Sequence, residues 1–117
     1  MSCTLAILKP DAVEAGNVGN ILSNLEAAGF KIRAMRMTRL TSAQAGSFYA
    51  VHRERPFFES LVTFMTSGPI VPLVLESEDA VSKLRQVIGA TDPAEAEEGT
   101  VRRLFAQSKE RNSIHAS

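Results

Sequence analysis

His52 and His115 are the only two histidines in this chain of 117 residues. An imidazole titrates near pH ~6.5, so at neutral pH much of it is unprotonated and able to act as nucleophile, base or metal ligand. His115 stands in the closing stretch "RNSIHAS", where a frayed, solvated tail residue is the plain alternative. Lys9 follows an apolar run directly. At a strand end an ammonium is held by a rigid element and points into the crevice there, whereas a turn would leave it as a surface lysine. Arg85, Arg102, Arg103 and Arg111 are planar forks suited to phosphate oxygens, and Thr91 adds a hydroxyl, although any surface helix carries such arginines. The segment "FYAVHRERPFF" brings Tyr49, His52, Phe57 and Phe58 together. Its rings either fill a core, with Tyr49 and Phe58 inside, or leave one ring outside to stack on a flat ligand.

Other chemistries find no support. The chain has no G-x-x-x-x-G-K-[ST] phosphate loop, no G-x-G-x-x-G, no C-x-x-C or H-x-x-x-H metal spacing and no G-x-S-x-G elbow. Thirteen basic residues balance thirteen acidic ones, which argues against a nucleic-acid partner or a membrane surface. The single cysteine, Cys3, excludes an internal disulfide and points to the cytoplasm. Within "CTLAIL" it reads as a small buried hydrophobe. No signal peptide precedes Lys9, and no stretch approaches the about 20 apolar residues of a membrane span.

The elements that must position these residues follow from periodicity. "TLAIL" (4–8) predicts a central strand ending at Pro10, and Val18, Ile21, Leu22 and Leu25 predict a helix stopped by Gly29. "FKIRAMRMTRL" (30–40) alternates and predicts a long strand with one buried face. Thr41 or Ser42 caps a helix over 41–52, and Pro56 and Gly68 bracket another. "PIVPLVLES" (69–77) predicts a strand in which Pro72 demands an edge or a bulge. A capped amphipathic helix follows over 77–89, then a loop, one or two helical turns over 100–106, and an irregular end with no clear fourth strand. This order predicts a single α/β (α+β) domain over 1–117: a ferredoxin-like βαββαβ sandwich, an antiparallel sheet with helices packed on one face.

Together, "TLAILKPDAV", "GFKIRAM", "FYAVHRERPFF", "LVTFMTSGPIVPLVLE", "AVSKLRQVIGATDPAEAEEGTVRRLF" and "RNSIHAS" resemble the nucleoside diphosphate kinase family in order and spacing. K-P-D, R-P-F-F, G-A-T-D-P and N-x-x-H are a specific combination. The resemblance implies transfer of a γ-phosphoryl group from a nucleoside triphosphate to a nucleoside diphosphate, in a ping-pong reaction through a phosphohistidine at His115. It implies that Lys9 contacts the phosphates and the sugar 3′-hydroxyl, that Asn112 binds the same hydroxyl, and that Tyr49 stands beside the histidine. Phe57 would stack on the base with Leu61 beneath it, and Arg85, Thr91 and Arg102 would bind phosphates bridged by Mg²⁺. It further implies a homo-oligomer (dimer, tetramer or hexamer) assembled through the first helix and the second strand. The family carries a further C-terminal segment, with a glutamate that orients the histidine. For a chain ending at Ser117, the alternative is a nucleotide-binding or oligomeric scaffold with weak or no kinase activity. Ala116 stands where the family has glycine, Leu104 where it has aspartate, and Lys109 at an apolar position against the base.

Overall fold

The computed structural model describes residues 1–117. Four strands, β1 (Ser2–Leu8), β2 (Lys31–Met35), β3 (Val71–Ser77) and β4 (Ile114–Ala116), form one sheet in the order β2-β3-β1-β4. Every pairing is antiparallel, which is the expected ferredoxin-like arrangement. The helices are α1 (Pro10–Glu14), α2 (Val18–Ala27), α3 (Ser42–Phe48), α4 (Phe58–Met65), α5 (Ala80–Ile88) and α6 (Val101–Phe105).

Alternation along β1 distributes the core between the two faces of the sheet. Ala6 and Leu8 point with Leu73 and Leu75 of β3 into the main cluster, which Ile21 and Leu25 of α2 and Leu84 and Ile88 of α5 complete. Leu5 and Ile7 point the other way, into a second cluster with Tyr49, Leu61, Phe64 and Met65. The α3–α4 hairpin therefore covers part of the face that the sequence left bare.

Several other expectations need correction. The end of the chain is not wholly irregular, because Ile114–Ala116 pairs with β1 as the fourth strand. Pro72 lies in a strand flanked on both sides. Its carbonyl accepts from the Arg36 N–H at 3.1 Å, and proline has no N–H to return the bond. The β2 ladder stops there, at Met35, after a register shift between Ile32 and Ala34, and only a bridge between Thr38 and Ile70 continues it. β2 is thus short, and as an edge strand it buries neither face: Ile32 is half-buried and its neighbours are exposed. Cys3 is exposed, since it shares the Leu5–Ile7 face but lies beyond the reach of the second cluster.

Helix ends show how sequence signals translate. Thr41 and Gln44 form a reciprocal capping box at α3, with bonds of 3.1 and 3.0 Å. α4 starts at Phe58, later than Pro56 implies, which leaves Phe57 as its cap residue with 46% of its surface exposed. α5 receives no cap from its own Asp79; Ser2 Oγ of β1 accepts from the Ala80 N–H at 2.9 Å instead.

α5 ends on Gly89 at φ +88° and ψ −178°, a region open essentially to glycine alone. A Cβ there would lie 2.6 Å from Thr100 Oγ1, the oxygen that caps α6. Gly89→Ala is expected to destabilise the fold by about 1–3 kcal/mol from backbone strain and to disturb the start of α6 as well. Urea unfolding of the variant against the parent protein measures this.

Candidate active site

The site forms where the ends of β1 and β4 meet the loop after α5. β1 delivers Lys9, whose extended backbone (φ −81°, ψ 166°) stands at the head of α1. Its ammonium is only 7% exposed and donates to Asn112 Oδ1 at 2.8 Å. The Asn112 amide donates in turn to the Thr91 carbonyl at 3.3 Å, tying the segment before β4 to the loop after α5. α6 delivers Arg102, which donates to the Gly89 carbonyl at 3.0 Å and to the Ile114 carbonyl at 2.8 Å. Its buried Nε has no partner. β4 delivers His115, set across from Ile7 of β1.

These residues line a cavity of about 520 Å³ together with Tyr49, Leu61, Arg85, Thr91 and Lys109, a volume in the range of small-molecule sites. Of the nine site residues that the resemblance implies, eight line it: Lys9, Tyr49, Leu61, Arg85, Thr91, Arg102, Asn112 and His115. Phe57 is outside the lining. Its ring centroid lies 5.5 Å from that of His52, which does line the cavity. His115 is half-buried in a group of rings, with Phe48 at 5.2 Å and Tyr49 at 6.1 Å between centroids, both edge-on. Arg85 is exposed, and its Nε donates to the Ser117 carbonyl at 3.1 Å.

The electrostatics are one-sided. Lys9, Arg85, Arg102 and Lys109 face the cavity and no carboxylate does. Burial, then the nearby Lys9 and Arg102 charges, pull His115 down to about 4, so the imidazole is neutral at pH 7. Burial and then Arg102 lower Lys9 to about 8, against the opposing pull of Asp11 and Glu110. Burial also pushes Tyr49 up to about 12, and its hydroxyl has no hydrogen-bond partner. Such a site offers a neutral imidazole, fixed cations and unpaired donors to an anion. No group of three or more His, Cys, Asp or Glu side chains is gathered closely enough to hold a metal ion, and no helix is long and apolar enough to cross a membrane.

Sequence reasoning named His52 by its type but kept it out of the implied site, and gave no role to Phe48, Asp11 or Ser113. His52 had a usable signal, because it falls three residues after Tyr49, one turn along. Asp11 had none: its carboxylate reaches the Ser113 N–H across 102 residues.

Residues 2–117 match the model of the nucleoside diphosphate kinase family. The nucleoside diphosphate kinase of Chlorobium limicola is 57% identical over 117 residues, spanning all of this chain and 84% of the relative. That of Chlorobaculum parvum is 58% identical over the same shares. Among solved structures, the Aquifex aeolicus nucleoside diphosphate kinase superposes with a TM-score of 0.96 at 50% identity, covering 99% of this chain and 84% of the other. The Halobacterium salinarum enzyme, solved in complex with CDP, gives 0.96 at 39% identity, covering 99% and 76%. The chain therefore belongs to the nucleoside diphosphate kinase family and transfers phosphoryl groups between nucleotides.

Proposed function

We propose that His115 is the nucleophile of this transfer and that the cavity around it holds the nucleotide. A ring nitrogen of His115 bonds to the γ-phosphorus of a nucleoside triphosphate as the bond to the β-phosphate oxygen breaks, and the nucleoside diphosphate leaves. A second nucleoside diphosphate then takes the phosphoryl group from the ring by the reverse displacement. The observation that carries this reading is a neutral imidazole set among cations in a cavity without a carboxylate.

Phosphoryl transfer spreads charge over the equatorial oxygens and the leaving oxygen while the ring nitrogen attacks in line, so catalysis is mainly positioning plus electrostatics. Lys9 and Arg102, both held by hydrogen bonds, supply fixed positive charge near the transferred group. Arg85 and the Thr91 hydroxyl bind the remaining phosphates, and Lys9 and Asn112 meet the sugar hydroxyl. The exposed Phe57 ring, with Leu61 beside it, stacks on the base. Stacking accepts any base because every base has a π-face.

Because the cavity wall lacks carboxylates, this chain's side chains are a poor fit for a divalent cation, and Mg²⁺ belongs to the nucleotide's own phosphate oxygens. Bound there, it neutralises phosphate charge. The reading includes assembly of identical subunits through α2 and β2. The exposed Met35 and Met37, at 52% and 58%, and the unpaired outer edge of β2 support that contact.

Incubation with radiolabelled ATP and Mg²⁺ is expected to yield an acid-labile, alkali-stable phosphoprotein that His115→Ala abolishes; label that survives this substitution overturns the assignment. Lys9→Ala is expected to slow labelling by about 10²–10³-fold, as when one preorganised donor to the developing charge is lost.

The pH dependence carries a sign. His115 is lowered in the native state, so between about 6.5 and about 4 the unfolded chain binds a proton that the native chain does not. Stability is therefore lost as pH falls through that window. The nucleophile, however, stays neutral well below pH 6.5, while Lys9 loses its charge as pH rises through about 8. The rate constant kcat/KM should hold level from neutral pH down to about 5 and fall above about 8. The ring nitrogen shifts of His115, read by NMR between pH 7 and 5.5, should stay nearly constant; a midpoint near 6.5 for that ring contradicts the expectation.

A further inference from the structure

Asp11 is the only carboxylate among the buried residues, at 4% exposure, and it does not line the cavity. One of its oxygens, Oδ2, accepts from the backbone N–H of Ser113 at 3.0 Å. The Lys9 N–H donates to the carbonyl of the same residue at 2.9 Å. Ser113 is thus gripped at both ends of its own backbone by the K-P-D segment.

The gripped residue is strained. Ser113 has φ +73°, and the Ile114 N–H donates to the Asn112 carbonyl at 2.9 Å. A bond closing over three residues with φ near +75° at the centre is the rare form of γ-turn, which L-residues avoid. Nothing in the side chain offsets this, since the fully buried Ser113 hydroxyl has no partner. Strained backbone persists only where its surroundings over-determine it, and it concentrates at functional sites. Here it lies between Asn112, whose side chain meets Lys9, and the strand that presents His115.

We propose that Asp11 is a positioning residue for phosphoryl transfer: its carboxylate locks the strained turn at Ser113, and the turn sets Asn112 and His115 toward the nucleotide. The proposal rests on His115 being the nucleophile. Burial raises the Asp11 carboxyl above the usual carboxylate range, opposed by the backbone N–H of Ser113 and the Lys9 charge. Either protonation state leaves an oxygen to accept the Ser113 N–H. The bond itself, rather than the negative charge, therefore holds the turn, and an isosteric amide can replace the acid.

Single-turnover labelling with radiolabelled ATP at saturating concentration tests this on Asp11→Ala, Asp11→Asn, Ser113→Gly and the double variant Asp11→Ala/Ser113→Gly, with His115→Ala alongside. Asp11→Ala is expected to label roughly ten- to a hundredfold more slowly, the range seen when an outer supporting partner is lost or a reacting group is misplaced. Asp11→Asn keeps an acceptor oxygen and should restore most of the rate. Glycine enters positive φ without strain, so removing Asp11 in the Ser113→Gly background should cost much less than in the parent. A folded Asp11→Ala that labels at the parent rate overturns the proposal. So does an Asp11→Asn as slow as Asp11→Ala, or an equal loss in both backgrounds. If Asp11→Ala does not fold, Asp11→Glu replaces it: the charge is kept but the oxygens move by one methylene, so slowing is expected and a parent rate overturns the idea. Label persisting in His115→Ala would overturn the nucleophile itself; label lost there but unaffected by Asp11→Ala overturns only the role of Asp11.

Discussion

The antiparallel pairing of β1 with β4 is the constraint on which the site depends. It is only three residues long, Ala6 with Ala116, Ile7 with His115 and Leu8 with Ile114, yet it decides what each side chain faces. Directly paired residues point to the same side of a sheet. His115 therefore shares the side of Ile7, where Tyr49 packs, and Ile114 shares the side of Leu8, in the main core. A slip of one residue would exchange these faces, putting the imidazole into an apolar core and Ile114 toward the ligand. The same pairing explains why Lys9, which directly follows β1, reaches Asn112, three residues before the histidine. Two segments from opposite ends of the sequence become one site through one short ladder.

Charge is the second organising feature. Lys9 and Arg102 are both drawn out of water, and both are lowered by burial, Lys9 to about 8. Isolated buried cations are costly. The fold limits that cost with carbonyl and amide acceptors: Asn112 for Lys9, and Gly89 and Ile114 for Arg102. Those acceptors belong to the segments that must be held in place, so satisfying the cations also fixes the cavity wall. Burial first, and then the field of these cations, lowers His115 to about 4 and leaves it neutral at pH 7, the state in which an imidazole can attack. These contacts thus serve folding, the attraction of an anion and, together with burial, the protonation state of His115.

Much of the architecture was legible because local signals agreed with the global fold. The apolar run before Lys9, the cap at Thr41, the helical period of α2 and the glycine after α5 all appear where the sequence places them. Pro72 misled, because a proline is tolerated beside a ladder that ends opposite it, and the end of β2 was invisible without that pairing. β4 was hidden by its brevity, since three residues carry too little alternation to register as a strand. Lys9 and His115 were legible as chemical types and Asn112 through the family resemblance, and the cavity gathers them with five others. Asp11 was not. Within K-P-D it carried no role of its own, and only the folded chain shows it at the start of α1 and bonded to Ser113.

The places where the chain breaks local rules converge on the cavity. Ser113 occupies a conformation serine avoids, Gly89 one that only glycine reaches, and Tyr49 Oη and Arg102 Nε are buried without partners. Outside it, Asp79 also takes a positive φ, at the start of α5, and Thr4 Oγ1 and Asp11 Oδ1 are buried without partners. A sequence selected only for stability would remove such defects, since each costs something and none packs the core. Their concentration around His115 makes sense if a polyanion completes the structure, its oxygens accepting from the unpaired donors and answering the buried cations. The ligand then binds to a site already arranged and already destabilised in its absence, so little reorganisation remains when the phosphoryl group moves.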